Sequence, residues 1–144
     1  CLPAQHFSGR GPGDNNRSLW CSWRLEFPAF SLYFAGDTGY APLFSQIGEI
    51  LGPVDLALLP IGAYEPRWFM SPVHINPAEA VQIHQEIQAR HSVAMHWGTF
   101  VLTDEAMDAP PKALAAALQQ QQINPETFRV AQHGETLTFD EHHE

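Results

Sequence analysis

From Leu19 to Phe27 apolar and polar positions alternate, with Leu19, Cys21, Trp23, Leu25 and Phe27 on one side and Trp20, Ser22, Arg24 and Glu26 on the other. A period of two marks a half-buried strand. Pro28-Ala29 turns the chain, and residues 30–35 return as its hairpin partner. The period then changes. Leu43, Phe44, Ile47, Ile50 and Leu51 recur at helical spacing within residues 41–51, and Gly52-Pro53 ends that helix. Residues 54–61 are a short continuous apolar run, which predicts a buried parallel strand with Pro60 near its end. Residues 62–75 have no regular period and read as a long irregular connection. Pro77 opens a helix with Asn76 as N-cap and Glu79 in the first turn, its inner face formed by Ala80, Ile83, His84 and Ile87. Residues 92–96 give the next strand, 110–121 an Ala/Leu/Gln helix, and 127–131 with 136–139 a last pair of strands about His133-Gly134-Glu135. At the N-terminus, residues 3–7 read as a strand end and 8–16 as a turn-rich surface loop. Strands alternating with helices predict an α/β layer fold, and the early hairpin makes its sheet mixed.

Composition narrows this picture. A chain of 144 residues, 44% hydrophobic and 16% charged, is long enough and apolar enough for one globular unit. We expect that unit to occupy residues 1–139, with 140–144, including His142 and His143, as a disordered tail. No apolar run approaches the roughly 20 residues of a membrane helix, and no signal peptide is visible. The first residue is Cys1 and not Met, so the expectation is that further sequence precedes it. The formal charge is −9, and Lys112 is the single lysine. That balance argues against nucleic acid and against a polybasic attachment to anionic lipid. Cys1 and Cys21 read as two reduced thiols of a cytoplasmic protein. Four tryptophans and nine phenylalanines are many for this length, and several fall in segments that do not look like core.

The chemistry gathers at predicted strand ends. The run Phe34-Ala35-Gly36-Asp37-Thr38-Gly39 closes an apolar strand on a carboxylate flanked by glycines. It reads either as an ordinary strand-to-helix turn, with Asp37 or Thr38 as an N-cap, or as a carboxylate facing a cleft. His6 and His96 stand at two other predicted strand ends. Two histidines and one carboxylate along one rim are suitable ligands for Zn²⁺ or a similar borderline metal. A second informative stretch is Gly62-Ala63-Tyr64-Glu65-Pro66-Arg67-Trp68-Phe69-Met70. Either it folds back over the core, or Tyr64, Trp68 and Phe69 form an apolar wall for substrate with Arg67 facing an anion or a buried carboxylate. His74 is a candidate general acid or a surface histidine. His133 is a turn residue or a further site histidine, and His84 and His91 look structural.

Taken together, Pro3-Ala4-Gln5-His6-Phe7, Phe34-Ala35-Gly36-Asp37-Thr38-Gly39-Tyr40, the Pro60–Met70 run and His96-Trp97-Gly98-Thr99-Phe100 resemble the metallo-β-lactamase superfamily. Within it they are most similar to the branch of N-acyl-phosphatidylethanolamine-hydrolysing phospholipase D and bacterial RomA-like proteins. The resemblance implies the C-terminal half of an αββα sandwich, a mixed sheet with flanking helices, and a dinuclear zinc site. It implies His6, Asp37 and His96 as metal ligands, with Asp37 bridging and so also catalytic. His74 and His133 match further histidines near the site, His74 in a catalytic role, and Tyr64, Arg67, Trp68 and Phe69 match a substrate-binding loop. The superfamily's His-x-His-x-Asp-His motif is absent, so the isolated chain is expected to hold an incomplete ligand set, to bind metal weakly and to expose a large apolar face.

The implied reaction of the intact protein is phosphodiester hydrolysis of phospholipase D type. Two zinc ions would attract the anionic substrate despite the acidic chain and would ready a water for attack on phosphorus. A lactonase or another hydrolase on the same scaffold is the first rival, and a non-catalytic interaction module the second. The partners expected are a small-molecule or phospholipid substrate and no nucleic acid. A peripheral membrane contact and a homo-oligomer both stay open, and the location is cytoplasmic or peripheral to a membrane.

Overall fold

The structure, a computed structural model, describes residues 1–139. Six strands form one sheet in chain order: β1 (Leu2–Pro3), β2 (Cys21–Phe27), β3 (Phe30–Phe34), β4 (Val54–Pro60), β5 (Ala89–Met95) and β6 (Phe128–Arg129). The first three pair antiparallel, and β3 through β6 pair parallel, so the sheet is mixed. The helices are α1 (Leu43–Leu51), α2 (Arg67–Met70), α3 (Pro77–Glu86) and α4 (Ala109–Gln120), with a 3₁₀ turn at Pro125–Thr127. The start of α3 is fixed by a reciprocal capping box: the Glu79 N–H donates to the Asn76 side chain at 2.8 Å, and the Asn76 N–H donates to the Glu79 carboxylate at 2.8 Å.

Among the described residues only one face of the sheet is covered. Alternate side chains of a strand point to opposite faces, so cross-strand partners share a face. Tyr33, Ala57, Leu59, Ala94 and Phe128 lie on the face that packs beneath the helices, in one core with Phe44, Ala80, Ile83, Leu114 and Leu118. The other face carries Trp23 opposite Phe34, Leu25 opposite Leu32 and Phe27 opposite Phe30, continuing through Leu56, Leu58 and Val93. Trp23, Leu25, Phe27 and Phe34 are 38–57% exposed. The apolar side of the alternating β2 pattern is therefore the open side, and it accounts for much of the aromatic excess.

The loop after β3 ties distant segments together. The Thr38 hydroxyl accepts the Gln5 N–H at 3.0 Å and donates to the Gly39 carbonyl at 2.8 Å. The Gly39 N–H donates to the Gln5 carbonyl at 2.7 Å, and the Ile75 N–H donates to the Thr38 carbonyl at 2.8 Å. Thr38 is fully buried. These bonds bring the tail of β1, the end of β3 and the segment before α3 to one point. The third approach requires a glycine, since a Cβ at Gly39 would stand 2.5 Å from the Pro72 carbonyl oxygen.

Four expectations are corrected. β1 stops at Pro3 and β3 at Phe34, so His6 and Asp37 each lie three residues beyond a strand and do not end one. The connection over 62–75 holds the short helix α2. Trp23, Leu25 and Phe27 are exposed rather than half-buried. Of the last strand pair only Phe128–Arg129 forms; residues 136–139 alternate in polarity but pair with no strand among the described residues. The expected tail, 140–144, lies outside the described residues.

Two outcomes follow for stability. Gly39→Ala forces Cβ into backbone, so urea denaturation should show a loss of about 1–3 kcal/mol; an unchanged midpoint would contradict the close approach. His84 is buried against Phe128 with its Nδ1 2.8 Å from the Ser92 hydroxyl. Burial, then the neighbouring His91, lowers its pKa from 6.5 to about 4. A base whose folded pKa is depressed destabilises the fold on protonation, so its contribution is complete above pH 6.5 and is lost as pH falls toward 4. By the size of the shift the loss is about 3 kcal/mol. Denaturation at pH 7 and pH 4.5 should therefore show a smaller acid loss in His84→Asn than in the parent.

Candidate metal centre

The tied loops place His6, Asp37, His74 and His96 side by side. His96 follows β5 directly, Asp37 lies three residues beyond β3, and His6 three residues beyond β1. The His96 Nε2 is 3.4 Å from the Asp37 Oδ1. The His74 ring lies 5.4 Å from that of His96 and 5.5 Å from that of His6, centroid to centroid. His96 sits in the left-handed backbone region at φ 60°, which a non-glycine residue adopts only at an energetic cost. Gly62 makes room for it, since a Cβ there would stand 2.3 Å from the His96 carbonyl oxygen.

His74 is half-buried, and its Nδ1 is buried with no hydrogen-bond partner among the described residues. Burial lowers its pKa first, and the charges of His96 and His6 lower it further against the opposite pull of Asp37 and Glu105. The imidazole is therefore neutral at neutral pH. Its backbone is held by Arg67, which donates to the His74 carbonyl at 2.9 Å and makes two bonds, of 3.0 and 2.9 Å, to the Glu79 carboxylate. Glu79 also belongs to the α3 capping box, so one ion pair fastens α2, His74 and α3 together.

The donor chemistry fits a borderline divalent cation. Two donors bound at about 2.1 Å with a tetrahedral angle stand about 3.4 Å apart, and the Asp37–His96 pair has that separation. The His6 Nδ1 lies 2.7 Å from the Phe7 carbonyl, which can only accept, so Nδ1 carries the proton and the Nε2 lone pair is free to ligate. Among the described residues, however, no group of three or more His, Cys, Asp or Glu stands close enough to hold a metal ion by itself. His6, Asp37 and His96 are thus suited in donor type to a metal ion but do not by themselves form a closed ligand set.

A cavity of about 370 Å³ opens beside His96, lined by Gly62, Trp97, Phe100, Leu102 and Met107 among others. Phe100, Val101 and Leu102 are exposed at its lip. Glu105 fixes the far wall by accepting the backbone N–H groups of Ala63 at 2.6 Å, Tyr64 at 3.3 Å and Glu65 at 3.0 Å. Burial alone would raise its pKa, but the Glu65 N–H, the Thr103 hydroxyl and further backbone bonds bring it below the usual value. Neither this cavity nor the Glu105 clasp was visible in sequence, because both depend on contacts across about 40 residues of chain.

The other candidates lie further out. Tyr64 is buried behind the Glu105 clasp, the Arg67 guanidinium is engaged by Glu79, and Trp68 and Phe69 are exposed on α2. His133 stands over Trp97, ring centroids 5.9 Å apart, and its Cε1 is 3.3 Å from where a Cβ on Gly98 would be.

Residues 1–97 match the beta-lactamase superfamily domain model. The N-acyl-phosphatidylethanolamine-hydrolyzing phospholipase D 1 of Caenorhabditis elegans is 54% identical over 101 residues, covering 69% of this chain and 28% of that protein. The outer membrane protein RomA of Klebsiella pneumoniae is 41% identical over 97 residues, covering 67% of this chain and 71% of that protein. Among solved structures, Igni18, a metallo hydrolase of Ignicoccus hospitalis, superposes with a TM-score of 0.68 at 24% identity, over 96% of this chain and 51% of that one. The chain thus spans 28% of its C. elegans relative and 51% of Igni18. From the matched domain, these relatives and the mixed sheet with its helices on one face, the chain belongs to the metallo-β-lactamase superfamily, with the N-acyl-phosphatidylethanolamine-hydrolysing phospholipase D and RomA proteins among its relatives.

Proposed function

We propose that the intact protein is a metal-dependent hydrolase, and that this chain supplies His6, Asp37 and His96 to a dinuclear zinc site completed by the remainder of the protein. The observation that carries the reading is the Asp37–His96 pair at 3.4 Å, flanked by a neutral His74 and opening on an apolar cavity. The match to the C. elegans phospholipase D supports the narrower reading, hydrolysis of a lipid-like phosphodiester. The uncovered face formed by Trp23, Leu25, Phe27 and Phe34 takes the second sheet of the sandwich.

When bound, the metal supplies positive charge to a phosphate in an otherwise acidic protein and lowers the pKa of a water. Asp37 and His96 would hold the ion at the rim of the sheet, with the backbone ties at Thr38 and Gly39 fixing Asp37 and the end of β5 placing His96. His74, neutral and partly shielded from solvent, takes the proton of the attacking water and returns it to the departing alcohol oxygen. Water adds to phosphorus as the ester P–O bond breaks, so the products are an alcohol and a phosphate monoester. Trp97, Phe100, Leu102 and Met107 exclude water on one side and accept an apolar group of the substrate. Trp68 and Phe69, exposed on α2, form the outer rim with His133, while Tyr64 and Arg67 hold the substrate-binding loop from within. Among the described residues no helix is long and apolar enough to cross a membrane, and in this reading the enzyme meets its lipid substrate from the aqueous side.

The test is made on the full-length protein. Metal analysis should find two zinc ions in the parent and half or none in Asp37→Ala; unchanged content would remove Asp37 from the ligand set. A panel of N-acylated phospholipids, lactones and cyclic nucleotides should show turnover of the phospholipid that chelation abolishes. Turnover of lactones alone would overturn the phosphodiesterase reading.

A further inference from the structure

We propose that Trp20 is a positioning residue that registers two metal ligands against each other, an inference that rests on the metal reading above. The indole makes two separate contacts. Its Nε1–H donates to the Asp37 carbonyl at 3.0 Å. Its face stacks on the His6 imidazole, with centroids 4.7 Å apart and planes inclined by 29°. His6 also stacks on Phe7, at 4.5 Å and 28°. Trp20 thus fixes an imidazole from the β1 side and the main chain that carries the carboxylate on the β3 side.

These contacts act on what the backbone ties leave loose. The Gln5–Gly39 bridge sets the path of the two main chains, but an imidazole on a tied backbone still samples several rotamers. The Nδ1–H bond to the Phe7 carbonyl fixes the tautomer, while the stacking fixes the plane and so the direction of the Nε2 lone pair. A metal ion needs that direction as well as the distance. Packing into the main core does not explain Trp20: it is 39% exposed, does not belong to the buried cluster beneath the helices, and precedes β2. Its side chain spans a gap between two chemically active residues, which is the role of a clamp.

The test uses metal-free full-length protein titrated with Co²⁺, whose visible absorption reports coordination geometry. Trp20→Ala removes both contacts, and Trp20→Phe keeps an aromatic ring without the N–H. Leu19→Ala, at a neighbouring residue that is 95% exposed, is the control. The expected result is a loss of Co²⁺ affinity of about tenfold or more in Trp20→Ala, with an altered visible spectrum. Trp20→Phe should recover part of the affinity and Leu19→Ala should match the parent. Parent-like affinity and spectrum in both Trp20 variants would overturn the positioning role while leaving the metal centre intact. A parent that binds no Co²⁺ or Zn²⁺ would instead overturn the metal reading itself, and the role of Trp20 with it. If Trp20→Ala does not fold, Trp20→Phe decides: a loss of about threefold or more, on the same outer-contact argument, supports the clamp, and parent-like binding refutes it.

Discussion

The buried hydroxyl of Thr38 and the backbone groups on either side of it hold the candidate site in place. Through them Gln5, Gly39 and Ile75, from three well-separated stretches of chain, share one set of hydrogen bonds. Inside a protein such bonds are costly to leave unmade, so the three stretches cannot drift apart independently. His6 follows Gln5, Asp37 precedes Thr38, and His74 precedes Ile75. Each chemically active side chain is one residue from the tie that places it. His96 arrives separately, just past the end of β5, where Gly62, two residues beyond β4, leaves room for its left-handed backbone.

The same chain is much less settled on the other side of the sheet. The helices cover the face carrying Tyr33, Ala57, Leu59 and Ala94, where burial supplies the usual hydrophobic stabilisation. The face carrying Trp23, Leu25, Phe27 and Phe34 has no cover among the described residues. A sheet with two apolar faces needs a layer on each. In the proposed function the open face and the unclosed ligand set have one explanation, since a second layer of the sandwich would cover the first and complete the other.

Much of this was legible in the sequence where the signal is local. The capping residues Asn76, Pro77 and Glu79 announced α3, and the continuous apolar run from Val54 announced a buried parallel strand. The position of His96 directly after a strand and of Asp37 shortly after another, with the resemblance, pointed to the rim where the structure gathers them. What failed or stayed hidden is non-local. Residues 136–139 alternate like a strand, but local alternation does not supply the cross-strand hydrogen bonds that define one. The sequence points Arg67 at an anion or a buried carboxylate, but which carboxylate is not legible locally: it is Glu79, twelve positions away. The cavity beyond His96 arises from the fold of residues 97–107 and the Glu105 clasp, and no period marks it. Trp20 seemed only the polar-side member of an alternating strand, and its contacts with His6 and Asp37 require the Thr38 ties to exist first.

The central claim is that these ties assemble ligands for a metal at one rim of the sheet. Anomalous diffraction at the zinc edge, from crystals of the full-length protein, tests it directly. The account predicts metal density within about 2.0–2.2 Å of both the Asp37 carboxylate and the His96 Nε2, with His6 Nε2 directed into the same centre. Anomalous density remote from Asp37 and His96, or bound zinc that touches neither, would contradict it.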